Sequence, residues 1–360
     1  MAGNSIGKQF CLTTFGESHG AGIGGVIDGC PPGIEMDYDL LNNQMARRRP
    51  GQSSVASPRK EGDHVEMLSG LTGGTTTGAP LAFMIPNQDA RSKDYNHLKD
   101  VYRPSHADYT YAKKYGIREH RGGGRSSARE TAARVVGGTI GLFVLRHFTD
   151  IKIKAYVSSI GKVQLKNAPS EAALQSIENY STRCPDETVA KEMENQILEA
   201  KEEGDSLGGV ITCVVENMPI GLGEPVFDRL EADLAHAMLS INATKGFDIG
   251  SGFQGASMKG SEHNDPLSRE DDQIVTETNN AGGVQGGISN GMPLEFRVAF
   301  KPVSTISKKQ KTLDEEGRET ELEAKGRHDP CVVPRAVPIV ESMAALILTD
   351  HFLRNRVYEG

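Results

Sequence analysis

The amino-acid sequence predicts one α/β domain, of the α+β type, that spans residues 1–360 and has elements for two similar halves. Strand-like and helix-like segments alternate on both sides of the midpoint, and no Pro/Ser-rich linker divides them. Of the 360 residues, 37% are apolar and 24% are charged, as in soluble proteins with a sizeable core. Glycine is frequent, with 41 residues, and it clusters in short loops that let the main chain approach a ligand closely.

Short strands and one long helix are predicted for the first half. Four β-like segments are bounded by glycine, proline or asparagine, at residues 9–14, 24–28, 64–69 and 81–85. A helix is expected over residues 37–49, because it begins with acidic residues, ends with basic ones and is followed by Pro50. The polar residues 87–100 predict a loop, and residues 128–148 predict the long helix.

The second half repeats this mixture of elements. Strands are expected over residues 151–158, 210–216 and 294–300, and helices over residues 190–203, 229–240 and 336–354. Residues 307–325 are crowded with Lys, Asp and Glu. This composition predicts a mobile surface excursion within the domain rather than a boundary between two domains.

Charge and cysteine content argue against several classes of protein. The formal net charge is −8 while the arginines are concentrated locally, which disfavours a general nucleic-acid binder and suits a small polyanionic ligand. The five cysteines are widely spaced without a C-x-x-C pair, so neither a disulfide framework nor a structural zinc site is expected. No apolar run approaches the roughly 20 residues that span a bilayer, and the first residues do not resemble a secretory signal. We therefore expect a cytoplasmic protein without membrane or nucleic-acid partners.

Two familiar motifs overlap near the start of the sequence but lack the surroundings that they need. Residues 16–20 (Gly-Glu-Ser-His-Gly) fit the G-x-S-x-G pattern of serine hydrolases, in which Ser18 would be the nucleophile. Residues 20–25 fit the G-x-G-x-x-G pattern of dinucleotide-binding folds. Both patterns require a helix directly after the turn, whereas the glycines here are poor helix formers and a strand is predicted to follow. Both interpretations are therefore disfavoured.

The glycine-rich segment 121–130 (Arg-Gly-Gly-Gly-Arg-Ser-Ser-Ala-Arg-Glu) is the strongest local signal. Ser127 and Glu130 have the spacing of a capping box, so the long helix should begin here. Three glycines allow close approach of the main chain, and the amides at a helix N-terminus attract an anion. Arg125 and Arg129 add positive charge. The segment therefore predicts an anion-binding site.

Two histidines lie in loops where they could transfer a proton near neutral pH. His19 lies in the glycine-rich turn at residues 16–20, and His106 follows Arg103 in the segment 103–108 (Arg-Pro-Ser-His-Ala-Asp). A histidine beside arginine and serine can donate a proton to a departing oxyanion.

Late segments add further groups that could bind anions. Arg327 and Arg335 could hold a phosphate or carboxylate, and Asp329 between them could accept a proton. Lys301 is followed by hydroxyl residues at a strand end, and the glycines of residues 279–287 offer main-chain contacts to a flat ligand. Together the segments predict a site for more than one anion, with proton-transfer groups and without a metal.

Six segments, in this order, resemble the signatures of the chorismate synthase family. They are residues 16–20, 48–51, 103–108, 122–131, 280–283 and 326–330, and they span almost the whole chain. The resemblance implies a single-domain sandwich with central helices between antiparallel β-sheets, assembled as a homotetramer. It also implies a reduced FMN cofactor and the 1,4-elimination of phosphate from 5-enolpyruvylshikimate 3-phosphate to give chorismate.

The resemblance also implies which residues would form the site. Flavin contacts would be made by Arg125, Ser126, Ser127, Asn242, Ala243, Gly286, Lys301, Pro302, Val303, Ser304, Thr305 and Arg327. The phosphate and carboxylates of the substrate would be bound by Arg48, Arg49, Arg103, Arg129, Arg134 and Arg335.

By the same resemblance, His19 would protonate the departing phosphate and His106 would protonate the reduced flavin. Asp329, Ser18 and Ser127 would assist proton transfer at the flavin. A flavin is needed because no adjacent carbonyl makes the C6 hydrogen of the substrate acidic. NADPH is one possible reductant for the flavin, and an external reductant is the alternative. Two other interpretations stay open at this stage: a non-catalytic flavin-binding module and a serine hydrolase that uses Ser18.

Overall fold

The structure, a computed structural model, describes residues 3–51, 62–88, 98–324 and 329–358. Its first strands are β1 (Ser5–Ile6), β2 (Cys11–Gly16), β3 (Gly22–Asp28), β4 (Glu66–Met67), β5 (Leu71–Thr72), β6 (Thr75–Thr76) and β7 (Leu81–Pro86). Five of them form an antiparallel sheet in the order β1-β2-β3-β7-β4, and β5 and β6 form a separate hairpin. Every second residue of β7 is buried, as expected for a strand with one face on a core.

A second five-stranded antiparallel sheet follows in the other half of the chain. The strands of this half are β8 (Lys152–Ile160), β9 (Val163–Gln164), β10 (Gly209–Glu216), β11 (Thr244–Ile249), β12 (Leu267–Glu270), β13 (Gln273–Thr276), β14 (Val284–Gln285), β15 (Ile288–Ser289), β16 (Leu294–Phe300), β17 (Gln310–Leu313) and β18 (Glu319–Leu322). The sheet order is β11-β16-β10-β8-β9, and the remaining strands pair as the hairpins β12–β13, β14–β15 and β17–β18.

Two long helices lie between the two sheets. The helices of the described residues are α1 (Tyr38–Arg48), α2 (Asp108–Tyr115), α3 (Thr131–Phe148), α4 (Glu171–Gln175), α5 (Glu187–Glu202), α6 (Leu230–Leu239), α7 (Gly260–His263) and α8 (Val333–Asn355). α3 and α8 pack against each other, α3 also contacts β2 and β3 of the first sheet, and α8 contacts β8 and β10 of the second. The predicted sandwich with central helices between antiparallel sheets is therefore confirmed. That residues 1–360 form one domain stays a prediction.

The central helices approach closely because α3 carries glycine where it meets α8. A Cβ atom at Gly138 would lie 2.1 Å from the main-chain oxygen of Ser342, so a larger residue would push the helices apart. The last helix and the turn after it, Val333–Tyr358, are long and apolar enough by composition to cross a bilayer. However, 94% of the apolar window is buried inside the protein, which is the property of a core helix.

Helix α8 begins at Val333 rather than at the predicted residue 336, and it continues through Pro338. Proline has no N–H to donate to the carbonyl four residues earlier, which belongs to Pro334. The buried Arg183 takes that role, because its Nη1 donates to the Pro334 carbonyl oxygen over 2.5 Å. This contact from a distant segment supplies the donor that Pro338 lacks, so the helix can continue through the proline.

The charged segment 307–325 contains two strands that the sequence analysis did not predict. Its residues 310–322 form the hairpin β17–β18, while the mobility of the segment stays a prediction. Leu322 packs against Leu98 and Val101, and the Tyr102 N–H donates to the Leu313 carbonyl. The charges lie on the outer face and mask the strand pattern. Of the predicted loop 87–100, residues 89–97 lie outside the described part of the chain.

Replacing Asp350 with alanine is expected to lower the free energy of unfolding by about 2 to 4 kcal/mol. The buried Asp350 Oδ1 accepts the main-chain N–H groups of Lys8, Gln9 and Phe10 at 2.8, 2.6 and 2.9 Å, and so joins the start of the first sheet to α8. The variant leaves these donors without an acceptor. Urea unfolding measures the change. Glu187→Ala, which removes an exposed ion pair with Lys191, should change stability by no more than about 0.5 kcal/mol. Equal effects of the two substitutions would contradict this account.

Candidate active site

A cavity of about 700 Å³ is lined by residues from the first sheet, the loop before α2, the turns before α3, the end of α6 and the start of α8. Its size is typical of pockets that hold small-molecule ligands. Among the described residues, its lining includes seven cationic side chains and two carboxylates: Arg48, Arg103, Arg125, Arg129, Arg134, Lys301 and Arg335, with Glu130 and Asp329. The cavity therefore concentrates positive charge in an otherwise acidic chain, which favours anionic ligands.

One buried carboxylate holds two of these arginines together. Asp63 accepts from Arg48 Nη2 through one oxygen and from Arg129 Nη1 through the other. The Asp63 side chain is fully buried and that of Arg48 is 2% exposed. Burial alone would raise the pKa of Asp63, but Arg48 and Arg129 outweigh it and keep this pKa below its usual value. Asp63 is therefore ionised at neutral pH, and it compensates the charges of two arginines that lie in different secondary-structure elements.

Burial also lowers the pKa of Arg48, and the nearby charges of Arg335 and Arg129 add to this effect, which Asp63 opposes. Among the described residues, Arg48 Nε is a buried donor without a hydrogen-bond partner. A buried, unpaired donor is costly unless a ligand satisfies it. Arg48 is therefore the arginine best prepared to receive an anion.

Two further arginines are held by carboxylates close to them in the chain. Arg134 Nε donates to Glu130 Oε2 at 2.8 Å, and Arg335 Nη1 donates to Asp329. Arg125 instead reaches the first sheet, where its Nη2 donates to Thr14 Oγ1 at 2.8 Å. These contacts fix the guanidinium groups before any ligand binds.

The predicted capping box is only half formed. Ser127 Oγ accepts the Arg129 N–H at 3.4 Å, but the Glu130 carboxylate turns toward Thr14 and Arg134 at 2.9 and 2.8 Å. Two 3-10 turns, at residues 124–126 and 128–130, therefore precede α3, which begins at Thr131 rather than at residue 128. The Glu130 carboxylate therefore orients Arg134 instead of capping the N-terminus of the helix.

The loop before α2 places His106 in the cavity wall beside Arg103. His106 Nδ1 lies 2.9 Å from Asp108 Oδ1, and Arg103 donates to the same carboxylate through Nε at 2.7 Å and Nη2 at 2.8 Å. Burial lowers the pKa of His106 below its usual value, and the charges of Arg103 and Lys301 add to this while Asp108 opposes it. The imidazole of the free protein is therefore neutral at pH 7.

The glycine loop runs between the two predicted histidines. Gly122, Gly123 and Gly124 all have positive φ, at 66°, 83° and 54°. A Cβ atom on Gly122 would lie 2.3 Å from Cε1 of His19, and one on Gly123 would lie 3.3 Å from Cε1 of His106. The glycines thus provide both the backbone conformation and the space that bring the two rings to this loop.

A sheet end provides the opposite wall. Because β11 pairs antiparallel with β16, the residues before β11 and after β16 lie side by side. The Lys301 N–H donates to the Ala243 carbonyl, and Asn242 Nδ2 donates to the Ser126 carbonyl at 2.9 Å. Burial and the neighbouring Lys245 lower the pKa of Lys301. This wall brings together two segments about sixty residues apart in the chain and joins them to the glycine loop.

The structure brings most of the predicted site residues to one cavity. Those in its lining are Arg48, Arg103, His106, Arg125, Ser126, Ser127, Arg129, Arg134, Asn242, Ala243, Lys301, Val303, Ser304, Thr305, Asp329 and Arg335. His19 lies against the lining residue Gly122, and Ser18 Oγ lies 3.1 Å from His19 Nδ1. Arg49, Gly286 and Pro302 do not line the cavity; Arg49 contacts Gly62, and Gly286 forms the turn between β14 and β15. Arg327 lies outside the described residues.

Sequence reasoning missed the carboxylates that organise the site. Asp63 and Glu130 were given no role as partners of arginine, and Asp108 was quoted in its segment without one. The spacing of Arg103, His106 and Asp108 could have suggested their contact, because residues this close around a helix start often meet. No local signal could have revealed that Asp63 bridges Arg48 and Arg129, because the three residues come together only in the tertiary fold.

The hydrolase interpretation of Ser18 is wrong on structural grounds. The turn that contains Ser18 joins β2 to β3 in an antiparallel hairpin, so a strand follows it where a nucleophile elbow needs a helix. The histidine near Ser18 is its sequence neighbour His19. The G-x-G-x-x-G segment fails in the same way, because residues 22–28 form β3.

Known proteins resemble this chain over nearly its whole length. The family model described as chorismate synthase matches residues 10–353. A chorismate synthase from Christiangramia forsetii is 59% identical over 356 residues, which cover 99% of each chain. A chorismate synthase from Flavobacterium psychrophilum is 57% identical over 360 residues, which cover 100% of both chains. A crystal structure of chorismate synthase has a TM-score of 0.78 and 31% identity, and the match covers 97% of this chain and 93% of the other.

Proposed function

The chain belongs to the chorismate synthase family, and from this premise we propose that its arginine-lined cavity binds reduced FMN together with 5-enolpyruvylshikimate 3-phosphate. As a member of this family the protein is a carbon–oxygen lyase that forms chorismate in the shikimate pathway, which leads to the aromatic amino acids. The observation that carries the proposal about the site is the convergence of six arginines and His106 on one cavity.

The residues present fit a flavin. The lining combines the glycine loop and the Asn242–Ala243 corner with apolar side chains such as Ile339 and Met343, which suit a flat heterocycle. Among the described residues, Asn242 Oδ1 is a buried acceptor without a hydrogen-bond partner, and a ring N–H group could satisfy it. When bound, reduced FMN would supply the electron density that assists phosphate loss and an acceptor for the C6 proton.

The arginines would hold the anionic groups of the substrate. Arg48, Arg129 and Arg335 are close enough for their charges to interact, and they would bind the phosphate and a carboxylate. Arg103 and Arg134 would hold the other end of the substrate, and each is already oriented by a carboxylate. Fixed cations lower the barrier to departure of a multiply charged phosphate because they need no reorganisation during the reaction.

Two histidines would handle protons. His19, beside Gly122, would donate a proton to the departing phosphate. An anionic ligand beside Arg103 and Lys301 would offset the charges that depress the pKa of His106. With such a ligand bound, His106 would take up a proton at Nε2. Ser18 and Ser127, with Asp329, would assist these transfers as hydrogen-bonding groups.

The proposed assembly is a cytoplasmic homotetramer. All five cysteines, each within the described residues, are free thiols, which suits a reducing compartment. Phe227 and Phe253 are 90% and 83% exposed, so these two side chains are candidates for the interfaces between subunits. Light scattering of the purified protein should give four times the 38.8 kDa mass of one chain.

The deciding experiment is anaerobic turnover. Purified protein is mixed with 5-enolpyruvylshikimate 3-phosphate and photoreduced FMN, and chorismate and phosphate are followed together. We expect equimolar release of both products, and only when the flavin is reduced. Folded protein that binds flavin but releases no product would instead support a non-catalytic flavin-binding module. A parallel reaction with NADPH and oxidised FMN measures whether the protein reduces its own flavin.

A further inference from the structure

Asp108 is a buried carboxylate to which the proposed reaction assigns no task. It is the first residue of α2, and its side chain is 3% exposed. Oδ1 accepts from Arg103 Nη2 and lies 2.9 Å from His106 Nδ1, while Oδ2 accepts from the Nε and main-chain N–H of Arg103 at 2.7 and 3.1 Å. Both oxygens are therefore fully used by protein donors. Any effect of Asp108 on a ligand must act through these partners.

Contact with Asp108 determines which ring nitrogen of His106 carries the proton. An ionised carboxylate only accepts hydrogen bonds, so His106 Nδ1 must be the protonated nitrogen of the neutral ring. The unprotonated Nε2 then lies on the ring edge that faces the glycine loop, 3.7 Å from where a Cβ atom of Gly123 would be. In this tautomer, Nε2 can take up a proton and deliver it on the cavity side.

The same carboxylate fixes Arg103. Because Nε and one N–H of Nη2 bind Asp108, both N–H groups of Nη1 and the second N–H of Nη2 remain for a ligand. A two-pronged contact of this kind sets the plane of the guanidinium as well as its position. Asp108 therefore orients an anion-binding group and a proton-transfer group that are three residues apart.

We propose that Asp108 is a positioning residue that holds Arg103 for the anion and fixes His106 in the tautomer whose Nε2 serves the cavity. The charged groups that face His106 are Asp108 itself and the cations Arg103 and Lys301. Arg118 Nη1 approaches Asp108 Oδ2 at 3.6 Å, and Arg118 Nη2 lies 3.1 Å from Glu315. The effect of Asp108 on turnover rests on the proposed function, whereas its effect on the His106 ring does not.

Nuclear magnetic resonance of histidine-labelled protein tests the assignment directly. The protein carries ¹⁵N and ¹³C in its histidine rings, and the His106 signals are identified by their loss in His106→Gln. In the unsubstituted protein, the ring nitrogen shifts should report a proton on Nδ1 above the pKa. A proton on Nε2 there would overturn the proposal, and this result needs no Asp108 variant, no flavin and no substrate.

Asp108→Asn should change both the tautomer and the titration of His106. The amide can donate to Nδ1, so the neutral ring should move its proton to Nε2, and loss of the carboxylate should move the pKa of His106 to lower pH. In the anaerobic assay, kcat should fall by on the order of 100-fold. A folded Asp108→Asn protein with an unchanged His106 tautomer and pKa would show that Asp108 serves the fold alone, and would overturn the proposal.

Two further variants separate the two tasks of Asp108. Glu315→Gln removes the same unit of charge from the same arginine network without touching His106, so the tautomer and pKa of His106 should stay as they are.

Arg103→Lys keeps Asp108 beside His106 but loses the two-pronged contact. It should raise KM for the substrate about tenfold or more and leave the His106 tautomer unchanged. A changed tautomer in Arg103→Lys would contradict separate tasks. Absence of turnover by the unsubstituted protein would count against the proposed function and leave the resonance result intact.

Discussion

Replacing Asp63 with asparagine is expected to lower the free energy of unfolding by about 3 to 5 kcal/mol, which is typical when a buried charge loses its partner. The variant keeps the size of the side chain, and asparagine tolerates the positive φ of 48° at this position as well as aspartate does. What it removes is the charge that compensates Arg48 and Arg129. Urea unfolding measures the change, and Glu187→Gln, at an exposed ion pair, is the matched control and should change stability by no more than about 0.5 kcal/mol.

Acid titration of stability gives an independent measure of the same carboxylate. The pKa of Asp63 in the folded protein is lowered, so its contribution is present above the unfolded pKa of about 3.9 and is lost as the pH falls through the lower folded pKa. The unsubstituted protein should therefore lose stability more steeply below about pH 4 than Asp63→Asn does. Parallel pH profiles for the two proteins would contradict a charged Asp63 in the fold.

A second substitution can separate the contribution of the Arg48–Asp63 pair to stability from its contribution to turnover. When Arg48→Met is added to Asp63→Asn, no buried Arg48 charge remains to be compensated, so part of the lost stability should return, while Arg129 still lacks its carboxylate. Turnover should not return, because the double variant lacks the guanidinium that we propose to bind the substrate. Recovery of both properties would show that Arg48 is structural only.

Local sequence pattern predicted seven of the eighteen strands and five of the eight helices of the described residues, among them the two central helices. β16 covers the predicted residues 294–300 without a shift, because apolar residues alternate there between clear breaks. The hairpin β17–β18 was missed since its exposed charges hide the alternation. Helix α8 begins three residues before the predicted start, and Arg183 satisfies the Pro334 carbonyl that Pro338 leaves without a helical donor. Local signals fail where a distant residue satisfies a main-chain group.

The types of residue in the site were predictable from the sequence, whereas the pairs of residues that contact one another were much less so. Arginines, histidines and glycine loops indicated anions and proton transfer before any geometry was known. Which carboxylate holds which arginine depends on the tertiary fold: Asp63 meets Arg129 across sixty-six positions of the chain. The same carboxylates reduce the repulsion among the six arginines around the cavity, since Asp63, Asp108 and Glu130 are buried negative charges next to four of them.

Replacing Gly122 with alanine is expected to reduce kcat by on the order of 100-fold, with a small loss of stability. The new Cβ atom would lie 2.3 Å from Cε1 and 2.6 Å from Nδ1 of His19, so the ring must move away from the place where we propose that it donates a proton. The positive φ of 66° adds about 1 to 2 kcal/mol of backbone strain. The anaerobic assay and urea unfolding measure the two effects separately.

Gly116→Ala is the matched control, because this glycine has a similar φ of 72° but no atom within 4 Å of the position that a Cβ would take. It should lose the same stability as Gly122→Ala and keep its kcat. On a His19→Ala background, Gly122→Ala should reduce kcat no further, since the ring that it displaces is gone. If Gly122→Ala slows turnover equally with and without His19, the glycine acts through the cavity itself and His19 is not the group that it positions.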